Sequence, residues 1–319
     1  MLSTLATTSP AKLAPFKPPM LRGVSASLMV LPNAAAPGQP THLLGYLQQS
    51  AYIPQGQTWL ERMQAGLVLG STGQPLPVDT PYQLGLRIYY YRHVANEPRV
   101  PFEETIVFED EHLLVADKPH FLPVSPTGRY VQETLLVRLK NRTGAHDLVP
   151  IHRIDRDTAG IVMFSKQVAS RNAYAALFRQ RKVHKVYEAI APYQSALEFP
   201  RTHQSRLQTA ASFMQMHEVA GPINSTTHIS LLAVQGAWAR YRLVPVSGQR
   251  HQLRVHMLAL GLPLRGDAIY PVLTPEPALD ALDYSQPLQL LAQSIAFDDP
   301  VTGQAQQFYS TRTLEWPCT

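Results

Sequence analysis

The chain has 319 residues, with 28 Lys+Arg against 23 Asp+Glu and 45% hydrophobic content. It is long enough for one large domain or two smaller ones and too apolar for wholesale disorder, while a charged fraction of 16% argues against a coiled coil. Its single cysteine, Cys318, excludes an intrachain disulfide framework and a cysteine-based zinc site.

Residues 1–40 hold seven prolines, which disfavour helix and predict an extended or poorly ordered arm. Residues 41–100 read as a small accessory module. Apolar spacing predicts helices over 43–49 and 59–64, followed by an apolar stretch at 66–70 and an aromatic strand over 86–91. The main domain is expected over 101–319. A turn near Glu109-Asp110-Glu111 feeds a buried strand that Pro119 ends, so Asp117-Lys118-Pro119 opens this domain. Residues 148–164 read as strand, polar turn, strand, and 166–181 as an amphipathic helix with Arg171, Arg179 and Arg181 between its apolar positions. A strand follows with Lys185, Tyr187 and Ala189 on one face. Strands over 227–234 and 237–245 form a hairpin around Gln235-Gly236, and a helix over 248–260 is ended by Gly261. Strands outnumber helices and mostly follow one another. The predicted class is therefore α+β, a mixed and mostly antiparallel central sheet flanked by helices, rather than a repeating βαβ fold.

The positive charge is regional. Residues 129–206 hold 14 Lys/Arg and only 6 Asp/Glu, a local +8 against −3 for the rest of the chain. Such clustering is the footprint of a polyanion-binding face, although a solvated helix face has the same composition. Of the 28 basic residues 21 are Arg, whose planar fork suits phosphates and base edges better than Lys does.

Two clusters carry the polar functionality. His152-Arg153-Ile154-Asp155-Arg156-Asp157-Thr158-Ala159-Gly160 is a charged loop between two apolar strands, a rigid platform of the kind that holds catalytic groups. The plain alternative is a hairpin turn in which Asp157 and Thr158 satisfy local backbone and Asp155 pairs with an arginine. In Ser247-Gly248-Gln249-Arg250-His251-Gln252-Leu253-Arg254-Val255-His256, the spacing puts Arg250 and Arg254 on one helix face, where they can clamp a carboxylate or phosphate. His251 and His256 lack the spacing and the intervening Glu of a helical zinc site, so no metal is expected. Nucleotide-binding glycine loops and the Gly-x-Ser-x-Gly elbow are absent from the sequence, which leaves paired-carboxylate glycosidase chemistry at Asp155 and Asp157 as the competing reading from pattern alone.

The first cluster resembles the His-Arg-Leu-Asp-x-x-Thr-Ser-Gly signature of RluA-type RNA pseudouridine synthases. Further matches follow in the family's order: Lys185-Val186-Tyr187-Glu188-Ala189; Gly248 to His256 continuing through Gly261-Leu262-Pro263-Leu264-Arg265-Gly266-Asp267-Ala268-Ile269-Tyr270; and Leu291-Ala292 with Ala296-Phe297-Asp298-Asp299-Pro300. With Asp117-Lys118-Pro119, the resemblance spans roughly residues 104–312. Ile154, Ala159, Gln249 and Leu291 replace the family's Leu, Ser, Arg and His, and none of these changes removes the acid, the ring or the arginine.

The resemblance implies isomerisation of uridine to pseudouridine in structured ribosomal or transfer RNA, with no cofactor, metal or nucleotide. It implies Asp155 as the essential acid, Arg254 as its partner and Tyr187 as the active-site ring. Arg153, Arg156, Arg179, Arg181, Lys182 and Arg250 are candidate RNA contacts, with Arg156 ranked first of those beside the loop because it follows Asp155. A catalytically inactive RNA-binding or RNA-folding factor on the same scaffold is the alternative. Residues 41–92 faintly resemble an S4-like RNA-binding module, with only Arg62, Arg87 and Arg92 as basic residues. Neither an 18-residue apolar run nor a basic-then-apolar leader is present, so a cytoplasmic monomer with no membrane partner is expected.

Overall fold

The computed structural model describes residues 16, 18–32, 38, 40–50, 58–92 and 97–317. Much of the expected arm, and Cys318, lie outside them. The chain divides into two compact units, Met1–Asn96 and Glu97–Thr319.

In the first unit, β1 (Ser27–Val30) comes from the stretch expected to be an arm, and it is followed by α1 (Leu43–Gln49), α2 (Trp59–Gln64), β2 (Val68–Leu69) and β3 (Arg87–Tyr90). The three strands form an antiparallel sheet in the order β1-β3-β2. Residues 27–30 are thus not an arm: alternate exposure of Ser27 to Val30 lets one face pack while the backbone pairs with β3. Thr58 and Glu61 form a capping box that starts α2. Leu43, Leu47, Trp59, Met63, Val68 and Ile88 make the core of this unit.

The second unit begins four residues before the expected boundary. The Glu97 carboxylate accepts the backbone N–H groups of Val131, Gln132 and Glu133 at 2.6–2.9 Å, which ties residue 97 to this unit. Its elements are β4 (Thr105–Glu109), β5 (Leu113–Lys118), α3 (Leu135–Thr143), β6 (Val149–Pro150), β7 (Ala159–Ser165), α4 (Arg171–Arg179), β8 (His184–Pro192), β9 (Arg201–Thr209), β10 (Met216–Val219), β11 (Ser225–Gln235), β12 (Trp238–Pro245), α5 (Gln252–Ala259), β13 (Leu290–Asp298) and β14 (Ala305–Tyr309). They build an 11-stranded sheet with the path β10-β9-β11-β12-β8-β13-β7-β5-β4, with β14 on β13 and β6 on β7. Among the described residues the β7·β13 pair is parallel and the other pairings in this sheet are antiparallel. This is the α+β class that the succession of strands predicts.

β5 and β7 read as continuous apolar runs because both faces are covered. Leu114, Ala116, Val162 and Phe164 face the core under α3, while Leu113, Val115, Ile161 and Met163 face Tyr174 and Leu177 of α4. A third core joins β8, β11 and β12 to Leu253 and Met257 of α5. No helix among the described residues is long and apolar enough to cross a membrane.

Candidate active site

Asp155 lies on the loop between β6 and β7, and that loop is braced from several sides. The buried Lys118 ammonium donates to the carbonyls of Pro119, Leu122 and Arg156, each at 2.8 Å. Burial pushes Lys118 down to about 7, opposed by the charges of Asp157 and Asp155. His120 contacts the Asp157 carbonyl through Nδ1 at 2.7 Å. His152 accepts the Met163 N–H at 3.1 Å and stacks on Phe178 with ring centres 4.8 Å apart. Burial, and then the charge of Lys185, holds its imidazole at about 3, so it is a neutral acceptor at physiological pH. Gly160 closes the loop with φ +112, where a Cβ would fall 2.2 Å from the Ala292 carbonyl oxygen of β13. Only glycine fits there, because β13 runs against it in parallel register.

Arg254 approaches from α5. The helix is fixed at its start by the buried Gln252, which accepts from Ser247 Oγ at 2.7 Å and donates to the Thr226 carbonyl and Thr227 Oγ1 at 3.0 Å. Two residues on, the Arg254 guanidinium forks onto Asp267 at 2.8 and 2.5 Å and gives its other nitrogen to Asp155 at 3.1 Å. The side chains of Arg254 and Asp267 are each 1% exposed, whereas that of Asp155 is 28% exposed. Burial disfavours the guanidinium charge, but the Asp267 hydrogen bonds and the Asp155 charge outweigh it and hold the arginine above its ordinary value. Asp267 also accepts the N–H groups of Ile269 and Tyr270 at 2.8 and 3.0 Å, so it cannot swing away with the arginine.

His251, in a left-handed conformation at φ 53, precedes α5 and places Nε2 3.8 Å from Asp155. Its Nδ1 lies 3.0 Å from the Tyr270 hydroxyl, which accepts the Met216 N–H at 2.7 Å. When Tyr270 donates to Nδ1, the imidazole carries its proton on Nε2, on the side of Asp155. Burial holds this imidazole below its ordinary value. Tyr187 sits on β8, opposite Leu243 of β12 and against the α5 core. Burial first, and then the charge of Asp155, pushes its phenol above the ordinary range, so it keeps its proton at neutral pH.

Asp155 is thus on a loop, Arg254 on α5 and Tyr187 on β8. Residues 112–259 match the family model described as RNA pseudouridylate synthase. The chain is 30% identical over 222 residues to the dual-specificity RNA pseudouridine synthase RluA of Haemophilus influenzae, covering 67% of this chain and 94% of that one. It is 28% identical over 243 residues to the ribosomal large subunit pseudouridine synthase D of the same organism, covering 71% and 74%. The human RNA pseudouridylate synthase domain containing 1 shares the fold, with a TM-score of 0.52, 20% identity and coverage of 68% of this chain and 86% of that one.

The chain belongs to the RNA pseudouridine synthase family. It is accordingly an isomerase of uridine in RNA.

Within this synthase, the structure separates the residues that the sequence grouped. Arg250 is not on the helix face of Arg254. It precedes the left-handed His251, donates to the Phe213 carbonyl at 2.7 Å and lies over the Phe213 ring, so the two arginines form no clamp. Arg156 is 33% exposed and pairs with Asp157 at 2.9 Å and with Glu276. Arg153, Arg179, Arg181 and Lys182 are exposed, whereas Arg138 of the same basic stretch is spent on Glu104 and Glu133. The residue that sequence reasoning passed over is Asp267. Its signal was present in Gly266-Asp267: Gly266 has φ +73 and leaves no room for a Cβ beside the Pro287 carbonyl, so the backbone turn aims Asp267 at the arginine.

Proposed function

We propose that the chain converts uridine to pseudouridine in structured ribosomal or transfer RNA, with Asp155 as the acting carboxylate. The observation that carries this reading is the half-open Asp155 held against a buried arginine that Asp267 has already locked in place. In the reaction the N1–C1′ bond breaks, the uracil turns, C5 joins C1′, and the C5 proton leaves. A carboxylate at this point can attack C1′, stabilise positive charge there, or take the 2′ proton, and all three require it to be ionised and aimed. Arg254, itself locked by Asp267, aims the carboxylate from 3.1 Å. Tyr187, protonated at neutral pH, offers a ring to stack on uracil and a hydroxyl to donate a hydrogen bond.

The substrate class is supported by relatives named for ribosomal and transfer RNA, including the mitochondrial tRNA pseudouridine(32) synthase of Saccharomyces cerevisiae. A stacked uridine must be flipped out at a cost of about a few kcal/mol, which contacts to the flanking backbone offset. Arg153, Arg179, Arg181 and Lys182 are exposed cations for that role. In this reading the enzyme acts in the cytoplasm as a monomer, without cofactor or metal.

The test is tritium release from RNA carrying 5-tritiated uridine, isolated from a strain that lacks the gene. The wild-type protein is expected to release tritium and Asp155→Asn none. Release by Asp155→Asn at the wild-type rate would overturn the assignment of the acid, and no release by wild type would favour the inactive RNA-binding alternative.

A further inference from the structure

Beside the catalytic loop, one carboxylate bridges two arginines. Glu276 Oε1 lies 2.9 Å from Arg129 and also pairs with Arg156. Both guanidiniums sit over the buried Tyr130 ring, at 5.9 and 5.7 Å from its centre. Arg156 is anchored from its other side by Asp157 at 2.9 Å. The Nε–H of Arg129 is buried and, among the described residues, makes no hydrogen bond. The pair therefore has donor capacity that the carboxylate leaves unused.

We propose that Arg129 and Arg156 form a subsite for an RNA backbone phosphate next to the target nucleotide, and that Glu276 occupies this subsite until RNA displaces it. The proposal rests on the RNA reading of the Asp155 site. Three observations lead to it. First, Arg156 directly follows Asp155, so an anion on its guanidinium lies beside the reacting nucleotide. Second, the charges already balance: two guanidiniums face Asp157 and Glu276, and exchanging Glu276 for a singly charged phosphodiester keeps that balance while offering oxygens that suit the guanidinium fork. Third, Glu276 is not needed to hold its own segment. Arg129 donates to the Pro277 carbonyl at 2.6 Å, and Tyr284 packs edge-on against Phe121 and Phe102 at 5.2 and 5.9 Å. Glu276 itself is 45% exposed, and an ion pair so open to water exchanges readily for a competing anion.

The occupant sets the apparent affinity. While Glu276 holds the arginines, RNA must replace it, and the gain from the new contact is reduced by the one lost. Removing its charge frees the subsite and lets phosphate binding express its full counterion release.

The experiment measures fluorescence anisotropy with a fluorescein-labelled RNA hairpin of about 30 nucleotides carrying a U-rich loop. Wild type, Glu276→Gln, Arg129→Gln and the double variant are compared. Glu276→Gln is expected to bind about three- to tenfold more tightly at low salt, with a plot of log K against log salt steeper by about one contact, ~0.7–0.9. Arg129→Gln is expected to weaken binding and to abolish the gain in the double variant. An affinity for Glu276→Gln within about twofold of wild type, or a gain that survives in the double variant, overturns the proposal. If Arg129→Gln fails to fold, loss of the Glu276→Gln advantage at high salt supports the proposal and its persistence overturns it. Tritium release by wild type keeps the two readings apart. Tighter binding by Glu276→Gln with no release leaves the subsite standing without the isomerase, and release with unchanged affinity does the reverse.

Discussion

Asp117 and Asp155 are the same side chain set against an arginine in the same unit, and their surroundings make them opposites. Asp117 is fully buried. It accepts Ser310 Oγ on both oxygens at 2.9 Å, the Thr311 N–H at 2.9 Å and Thr311 Oγ1 at 3.2 Å, with Arg312 Nε at 3.3 Å. Asp155 is 28% exposed and, among the described residues, its side chain takes one hydrogen bond, from Arg254 at 3.1 Å. A carboxylate engaged on both oxygens and closed off from solvent ties β5 to the segment after β14 and offers nothing to a substrate. One that is held by a fixed cation but still open has lone pairs to spare. Function here follows from incomplete satisfaction of a well-oriented group.

The sharpest way to test that contrast is to neutralise each acid in turn. Asp155→Asn should cost roughly 10⁴-fold or more in turnover, the scale on which enzymes lose rate with a nucleophile or its base, while thermal melting stays near wild type. Asp117→Asn should do the reverse. Urea titration should show a loss of about 3–5 kcal/mol from a broken buried pair, with tritium release per folded molecule close to wild type. A large activity loss without destabilisation at Asp117 would break the comparison. Asp267→Asn lies between the two, because it loosens the arginine without touching the acid: turnover is expected to fall about 100-fold, comparable to loss of one preorganised donor. Single-turnover kinetics should place that loss in the chemical step rather than in RNA binding.

A pH profile extends the contrast to a second saturated group. His256 is fully buried, and its ring nitrogens contact Ser205, Ser225 and Thr227 hydroxyls at 2.9–3.1 Å. Burial, and then the nearby His203, lowers it to about 4. Its folded pKa lies below the unfolded value, so the unfolded chain takes up the proton first as pH falls. Its contribution is intact above about 6.5 and declines toward 4 by ~1.4 kcal/mol per pH unit. Denaturation at pH 7 and pH 5 checks this, and His256→Gln should flatten the dependence.

Local signals were legible where local physics decides. The ranges of α1 and α2 follow from apolar spacing, and the β11–β12 hairpin turns at Gln235-Gly236 as its sequence suggests. β9 was hidden because Arg201–Thr209 carries a single buried apolar residue, Leu207, and is held by pairing with β10 and β11. Helical spacing put Arg250 beside Arg254 because the left-handed break at His251 leaves no pattern in polar residues. The Asp155–Arg254 pair was visible through motif resemblance, whereas Asp267 required the turn after α5. The local +8 overstated the open cationic surface, since charge counts cannot show that Arg138 and Arg142 are turned onto Glu104.

β13 lies between β7 and β8 in the sheet although it is made long after both. Asp155 comes from the β7 side of that strand, and Tyr187 comes from the β8 side. During vectorial synthesis the two sides therefore lack their joining strand until residues beyond Leu290 have left the ribosome. A partly made chain can expose basic surface to RNA, but it cannot assemble the site, and catalytic competence is dated to the arrival of that one strand.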